Sequence, residues 1–252
     1  MPSSFSPPLP SPSQKKPNPI LWIFFGIFGV ILVGFMLAVG YYIWQIQYGD
    51  RTALAKQFQK SITNQFSQVS GTSDVTVTEE QLAEVIRSHN PTLGNPQSPV
   101  TIIAFIDFEC PFCQQSYETF NTVIDKYGSA VYVVFKHLPL TNIHPNAGPA
   151  ALAATCAHSQ GKFWEYYHKL FTLLQLSDEA YLGYAEHIGI DVPTFQRCYD
   201  QKDHAKDIQQ DILDAASLGV RGTPTYFVGT KKIEGVISEE LWDAFILEQL
   251  QQ

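Results

Sequence analysis

Cysteine is scarce in this 252-residue chain, which has only Cys110, Cys113, Cys156 and Cys198. That number excludes a scaffold built from many disulfides, so each cysteine has to be read individually. Acidic residues are missing before Asp50, and from Pro17 to Gly49 no residue carries a charge of either sign. The formal net charge is −8, and two of the basic residues, Lys15 and Lys16, precede Gly49, so the remainder is more acidic still. Such a surface repels nucleic-acid phosphate, and nucleic acid is not expected as a partner. The chain has no internal repeat and no second Cys-x-x-Cys, and Cys156, Cys198, His137 and His144 lack the spacing of zinc ligands. No metal or cofactor is expected.

The uncharged stretch is informative in itself. Ile20–Ile43 is almost continuously apolar and would reach about 36 Å as a helix, enough to cross a bilayer with some tilt. Trp22 at one end and Tyr41, Tyr42 and Trp44 at the other stand where interfacial aromatics belong. A cleaved signal peptide is the alternative, but its apolar region spans only roughly 7–15 residues. A transmembrane anchor over residues 20–46 is therefore expected. Residues 1–19, rich in Pro and Ser, read as a disordered tail that cannot bury a core. Residues 47–77 read as a juxtamembrane stalk, with Leu54, Phe58, Ile62, Phe66 and Val69 along one helical stripe. Basic residues flank the apolar run on both sides, so charge alone leaves its orientation open.

Beyond the stalk, residues 78–252 read as one α/β domain. Thr78 with Gln81 forms a capping box before a short helix bearing Leu82, Val85 and Ile86, which Asn90-Pro91 is expected to end. Val100–Ile106 is β-branched and apolar throughout, as in a strand buried on both faces. A helix opens at Cys110-Pro-Phe-Cys113 and runs to about Tyr127, and Val131–Phe135 reads as a second buried strand, completing a βαβ unit. Residues of about 145–218 are helical by pattern, one helix running Lys162–Leu176. Two short strands follow, Thr225–Val228 and Lys232–Val236, and then a last helix from Ser238.

Cys110 and Cys113 carry the chemistry. Residues three apart on a first helical turn lie about 5–6 Å apart at Cα, within disulfide range. The first sits where unpaired N–H groups and the positive helix end favour a thiolate, and the second is more shielded. Pro111 suits the first helical position, because its missing N–H would have had no partner. Half a zinc site and a purely structural disulfide are the alternatives. Among three possible pairings of four cysteines, a Cys110–Cys113 pair leaves Cys156 with Cys198 in the helical block; free buried thiols are the alternative there. Such a bridge persists only outside the cytoplasm, which would place the domain on that side. Tyr117 and His137 are assigned packing or surface roles.

The segment Pro99-Val-Thr-Ile-Ile-Ala-Phe-Ile-Asp-Phe-Glu-Cys110-Pro-Phe-Cys113 resembles the active-site strand and helix of DsbA-like thioredoxin-fold oxidoreductases. Phe135-Lys-His-Leu-Pro-Leu140, Gly161-Lys-Phe-Trp-Glu165 and Gly219-Val-Arg-Gly-Thr-Pro224-Thr-Tyr-Phe resemble further parts of that family in the same order. The resemblance covers residues from about Asn90 onward. It implies a thioredoxin fold with an inserted helical domain, a redox pair at Cys110 and Cys113 tuned by the Pro111-Phe112 dipeptide, and a cis-proline at Pro224. It also implies that Thr223 and Pro224 offer backbone to an extended substrate. Implied partners are reduced or misoxidised secreted proteins and a membrane quinone-linked disulfide reoxidase. The chain departs from the family pattern twice: Ala104 stands where a buried acid is common, and Phe112 replaces the His of the most oxidising members. Disulfide donation is the expected net reaction. The alternatives are an isomerase or reductase of the same fold, or a membrane-anchored binding module without catalysis.

Overall fold

The computed structural model describes residues 32–41 and 77–251. Contacts divide the chain into Met1–Ser73 and Asp74–Gln252. In the first part, residues 32–41 are helical, with Leu32, Val33, Phe35, Met36 and Leu37 exposed. They fall inside the expected anchor. The rest of that anchor, the tail and the stalk up to residue 76 lie outside the described residues. Among the described residues, no helix is long and apolar enough to cross a membrane.

In the second part, α1 (Glu79–Val85) starts at Thr78, and both halves of its capping box form, Thr78 N–H to Gln81 Oε1 and Gln81 N–H to Thr78 Oγ1. The helix stops well before Asn90-Pro91. Ile86 is extended, Arg87 N–H donates to Asn90 Oδ1 at 2.9 Å, and the Arg87 guanidinium is drawn to Asp214. A two-residue strand β1 (Thr92–Leu93) then leads to β2 (Val100–Ile106), α2 (Pro111–Tyr127) and β3 (Val131–His137). Strand β3 runs two residues past the expected Phe135, because Lys136 and His137 pair with Phe105 and Ile106 of β2.

Five helices follow: α3 (Ala147–His158), α4 (Phe163–Leu173), α5 (Asp178–His187), α6 (Val192–Gln201) and α7 (Ala205–Ser217). Helix α4 ends short of Leu176 where Leu174 turns left-handed at φ 54°, freeing Ser177 to cap α5. Strands β4 (Thr225–Val228) and β5 (Lys231–Glu234) and helix α8 (Glu239–Leu250) close the domain. Hairpin pairing of Val228 with Lys231 starts β5 one residue earlier than the pattern suggested.

The sheet order is β1-β3-β2-β4-β5, parallel only between β2 and β3. Alternation along the strands sorts the core into two. Ile102, Ala104, Ile106, Val133, Phe135 and Tyr226 pack against α2, α8 and the helical block. Ile103, Phe105, Val134 and Phe227 pack against α1 and α7. Lys136 points to the second face and is fully buried. Its Nζ lies 2.7 Å from both Asp211 and Asp214 and donates to the Val85 carbonyl, while Asp211 also accepts from Asn90 and from His137 N–H. Burial opposes ionisation of both acids, yet Arg87, Lys136 and His89 hold their carboxyls below the usual range. This cluster fastens α7 and the α1–β1 connection to the sheet. In the helical block, Cys156 of α3 and Cys198 of α6 are joined by a disulfide with Cα atoms 5.9 Å apart.

Candidate functional site

Cys110 is the N-cap of α2 with extended backbone, Pro111 takes the first helical position, and Phe112 projects into solvent at 59% exposure. Strand β2 delivers Cys110 to this point through the Asp107–Cys110 turn, in which Cys110 N–H donates to the Asp107 carbonyl at 3.2 Å. Both redox-motif cysteines are free and buried. The Thr223–Pro224 peptide bond is cis, and the Thr223 carbonyl oxygen lies 3.2 Å from Cys110 Sγ. Residues more than a hundred positions apart in sequence are thus brought together: Cys110, Pro111, Phe112 and Cys113 from one loop, Thr223 and Pro224 from another. Cys156 and Cys198 stand apart from this group in the helical block.

The two sulfurs sit in unlike surroundings. A hydrogen bond from the Cys113 thiol does most to lower the Cys110 pKa, to about 5, against the opposing effect of burial. The backbone N–H groups of Cys113 and Phe112 add to it. Those N–H groups are the unpaired donors of a helix start, which favour an anion. Burial pushes the Cys113 thiol well above its ordinary value, and the anionic Cys110 beside it adds to the rise. At neutral pH the arrangement therefore holds one thiolate and one thiol.

Ala104 is fully buried, flanked in the sheet by Tyr226 of β4 and Phe135 of β3, so no carboxylate occupies that position. Tyr226 instead pairs its hydroxyl with Ser116 Oγ at 2.7 Å on the helix of the redox pair. Tyr117 stacks on Phe171 and bonds His168. His137 packs among Phe108, Phe135 and Phe163, and burial lowers its pKa to about 4.

One set of neighbours had no sequence signal pointing to it. Asp107, fully buried at its side chain, accepts from Glu109 N–H, from Leu140 N–H and from His144 Nδ1. Glu109 accepts from the backbone and side-chain nitrogens of Asn146. Apart from the local Asp107–Glu109 bond, the partners lie 33 to 37 residues apart, with no local periodicity to connect them. Near the proline loop, Arg221, Gly222, Thr223, Pro224, Thr225, Glu234 and Gly235 line an open cleft of about 240 Å³.

Comparison with known proteins agrees with this geometry. A family model described as thioredoxin matches residues 87–248. Among solved structures, a thioredoxin-like oxidoreductase from Silicibacter pomeroyi superposes with a TM-score of 0.62 at 24% identity, covering 70% of this chain and 99% of that one. The thiol-disulfide exchange protein alpha-DsbA2 from Wolbachia pipientis gives 0.62 at 23% identity, covering 71% and 99%. The Na(+)/H(+) antiporter NhaA 3 of Salinispora tropica is 38% identical over 156 residues, 61% of this chain, but the chain spans only 24% of the antiporter's length. The chain belongs to the thioredoxin family, in the DsbA-like form of that fold.

Proposed function

We propose that the protein is a thiol–disulfide oxidoreductase that donates the Cys110–Cys113 disulfide to reduced proteins. The observation that carries this reading is the buried Cys110–Cys113 pair at the start of α2, with Cys110 Sγ 3.2 Å from the carbonyl of the cis Thr223–Pro224 bond; the helix start favours Cys110 as thiolate, and burial favours Cys113 as thiol. A reduced form stabilised in this way makes the disulfide form a good oxidant. In the forward reaction a substrate thiolate attacks Cys110 Sγ. The substrate–Cys110 bond forms, the Cys110–Cys113 bond breaks, and the departing electron pair goes to Cys113, which takes up a proton. A second substrate thiolate then attacks the substrate sulfur and releases Cys110 as thiolate. The substrate dithiol has lost two electrons, and one further proton has passed to solvent.

The Thr223 carbonyl lies 3.2 Å from Cys110 Sγ, and in this reading Thr223 and Pro224 offer backbone to an extended substrate segment there. The Cys156–Cys198 bridge supports action in an oxidising, extracytoplasmic compartment, and the apolar stretch 20–46 would anchor the domain to the membrane on that side. Substrates would be secreted proteins with reduced or misplaced disulfides. A quinone-linked membrane disulfide reoxidase would return the pair to its oxidised form.

The test is refolding of a reduced, denatured model substrate by the oxidised full chain, beside a glutathione titration of the pair. Stoichiometric oxidation of substrate thiols is expected, lost in Cys110→Ala. Failure to oxidise, with efficient reduction of a substrate disulfide instead, would reassign the protein as a reductase. Binding that survives loss of both cysteines, without exchange, would make it a binding module.

A further inference from the structure

Asp107 sits between the end of β2 and the start of α2, and its side chain is fully buried. A neutral Asn would close the same turn, because one side-chain oxygen bonding the N–H two residues on is enough for it. Here that bond runs from Glu109 N–H to one Asp107 oxygen at 2.8 Å. The second oxygen is taken up by the segment that crosses the redox loop after β3: Leu140 N–H reaches it at 2.9 Å and His144 Nδ1 at 2.7 Å. A carboxylate only accepts, so the ring nitrogen donates. Leu140 and His144 are the two ends of one turn, since the Leu140 carbonyl accepts from Ile143 N–H and His144 N–H, both at 2.9 Å. One buried carboxylate with three donors therefore closes two turns on each other.

The main chain of the same residue carries the redox cysteine. The Asp107 carbonyl accepts from Cys110 N–H at 3.2 Å, and the Cys110 carbonyl accepts from Gln114 N–H at 3.0 Å. Cys110 is an N-cap whose side chain makes no capping bond. Its sulfur, 3.2 Å from the Thr223 carbonyl, is placed by the backbone on either side of it. We propose that Asp107 is a positioning residue of the exchange reaction: by fixing the Asp107–Cys110 turn against the Leu140–His144 turn, its carboxylate holds Cys110 Sγ where Cys113 reaches it. The step that depends on this placement is closure of the pair. From a mixed disulfide on Cys110, Cys113 gives its proton to solvent and its sulfur attacks Cys110 Sγ. The Cys110–Cys113 bond forms, the bond to the outside sulfur breaks, and that sulfur leaves with the electron pair as a thiolate. Misplacement by about 1 Å in such a step costs up to about a hundredfold in rate. The proposal rests on the reading of Cys110 and Cys113 as an exchanging pair.

The test follows closure directly. Reduced full chain in detergent is mixed with oxidised glutathione and sampled by quenched flow, and its dithiol, mixed-disulfide and disulfide forms are counted by intact mass. In unmutated protein the mixed form should stay a minor species. Asp107→Asn keeps the bond to Glu109 but turns an amide donor toward Leu140 N–H. Closure should slow by about ten- to a hundredfold, so that the mixed form accumulates. His144→Leu removes one of the three donors and should slow closure less, while His144→Asn, whose amide nitrogen donates from the place of Nδ1, should restore most of the loss. Lys136→Met weakens the domain on the other face of the sheet and should not raise the mixed form, which separates positioning from stability. Closure at the unmutated rate in Asp107→Asn, or in His144→Leu where Asp107→Asn does not fold, would overturn the proposal, as would equal slowing in Lys136→Met. If the unmutated chain exchanges with glutathione and only the variants fail to differ, positioning alone is refuted. If the unmutated chain does not exchange at all, the oxidoreductase reading falls and takes the proposal with it.

Discussion

Removal of the Cys156–Cys198 bridge separates the stability of the domain from its chemistry. The bridge joins α3 to α6 across 42 positions, with both half-cystines buried, at 0% and 6% exposure. Closing a loop of that length removes about 4 kcal/mol of chain entropy from the unfolded state. For a domain of this size each kcal/mol moves Tm by roughly 2–4 °C, so Cys156→Ala with Cys198→Ala should lower Tm by roughly 8–16 °C. The redox pair lies on α2, and none of its hydrogen bonds involves α3 or α6. Exchange with glutathione at Cys110 should therefore change less than about twofold at a temperature where both forms are folded. Calorimetry of the two oxidised proteins, followed by stopped-flow exchange, measures both quantities. A Tm fall below about 3 °C, or an exchange rate that collapses with the bridge, would refute this separation.

Other outcomes follow from the same geometry. The Cys110 pKa is depressed, so the thiolate contributes stability that is complete above the unfolded thiol pKa and is lost as pH falls through about 5. Between about pH 7 and pH 5 the stability advantage of reduced wild type over Cys110→Ala should shrink by about 2 kcal/mol, read by denaturant titration. An advantage independent of pH would mean that Cys110 is not ionised. Lys136→Met should cost about 3–5 kcal/mol, because it leaves Asp211 and Asp214 buried against each other without their shared cation. A loss below about 1 kcal/mol in urea would show that His89, Arg87 and Asn90 suffice.

What the sequence reveals of this fold follows from the range of the interactions involved. Strand β2 is visible in an unbroken apolar run because it is buried on both faces, and α2 is visible because Cys110-Pro111 marks its start. The thiol pair needs only a three-residue spacing to be recognised. Thr223 and Pro224 are placed beside it only through resemblance, since no local rule connects Cys110 with Thr223, 113 positions on. The Lys136 cluster left no trace in the pattern. Lys136 interrupts an apolar strand, Asp211 and Asp214 sit on a helix whose exposed face is also polar, and their pairing depends on tertiary contact alone. The pairing of His144 with Asp107 is invisible in sequence for the same reason: Asp107 looks like an ordinary acid at a strand end. Helix α1 ended early because Arg87 and Asn90 found partners outside the helix, which outweighed its continuing apolar face.

The roles given to the two sulfurs can be tested by trapping. Cys110→Ala and Cys113→Ala variants would each be incubated with a mixture of reduced and oxidised model substrate. Covalent adducts would then be resolved on non-reducing gels and located by mass spectrometry. Cys113→Ala should accumulate a mixed disulfide through Cys110, because the attacking thiolate remains and the resolving thiol is gone. Cys110→Ala should capture little, because Cys113 is buried and its thiol is held protonated. Capture through Cys113 in Cys110→Ala at an equal or greater yield would contradict the assignment of Cys110 as the attacking sulfur.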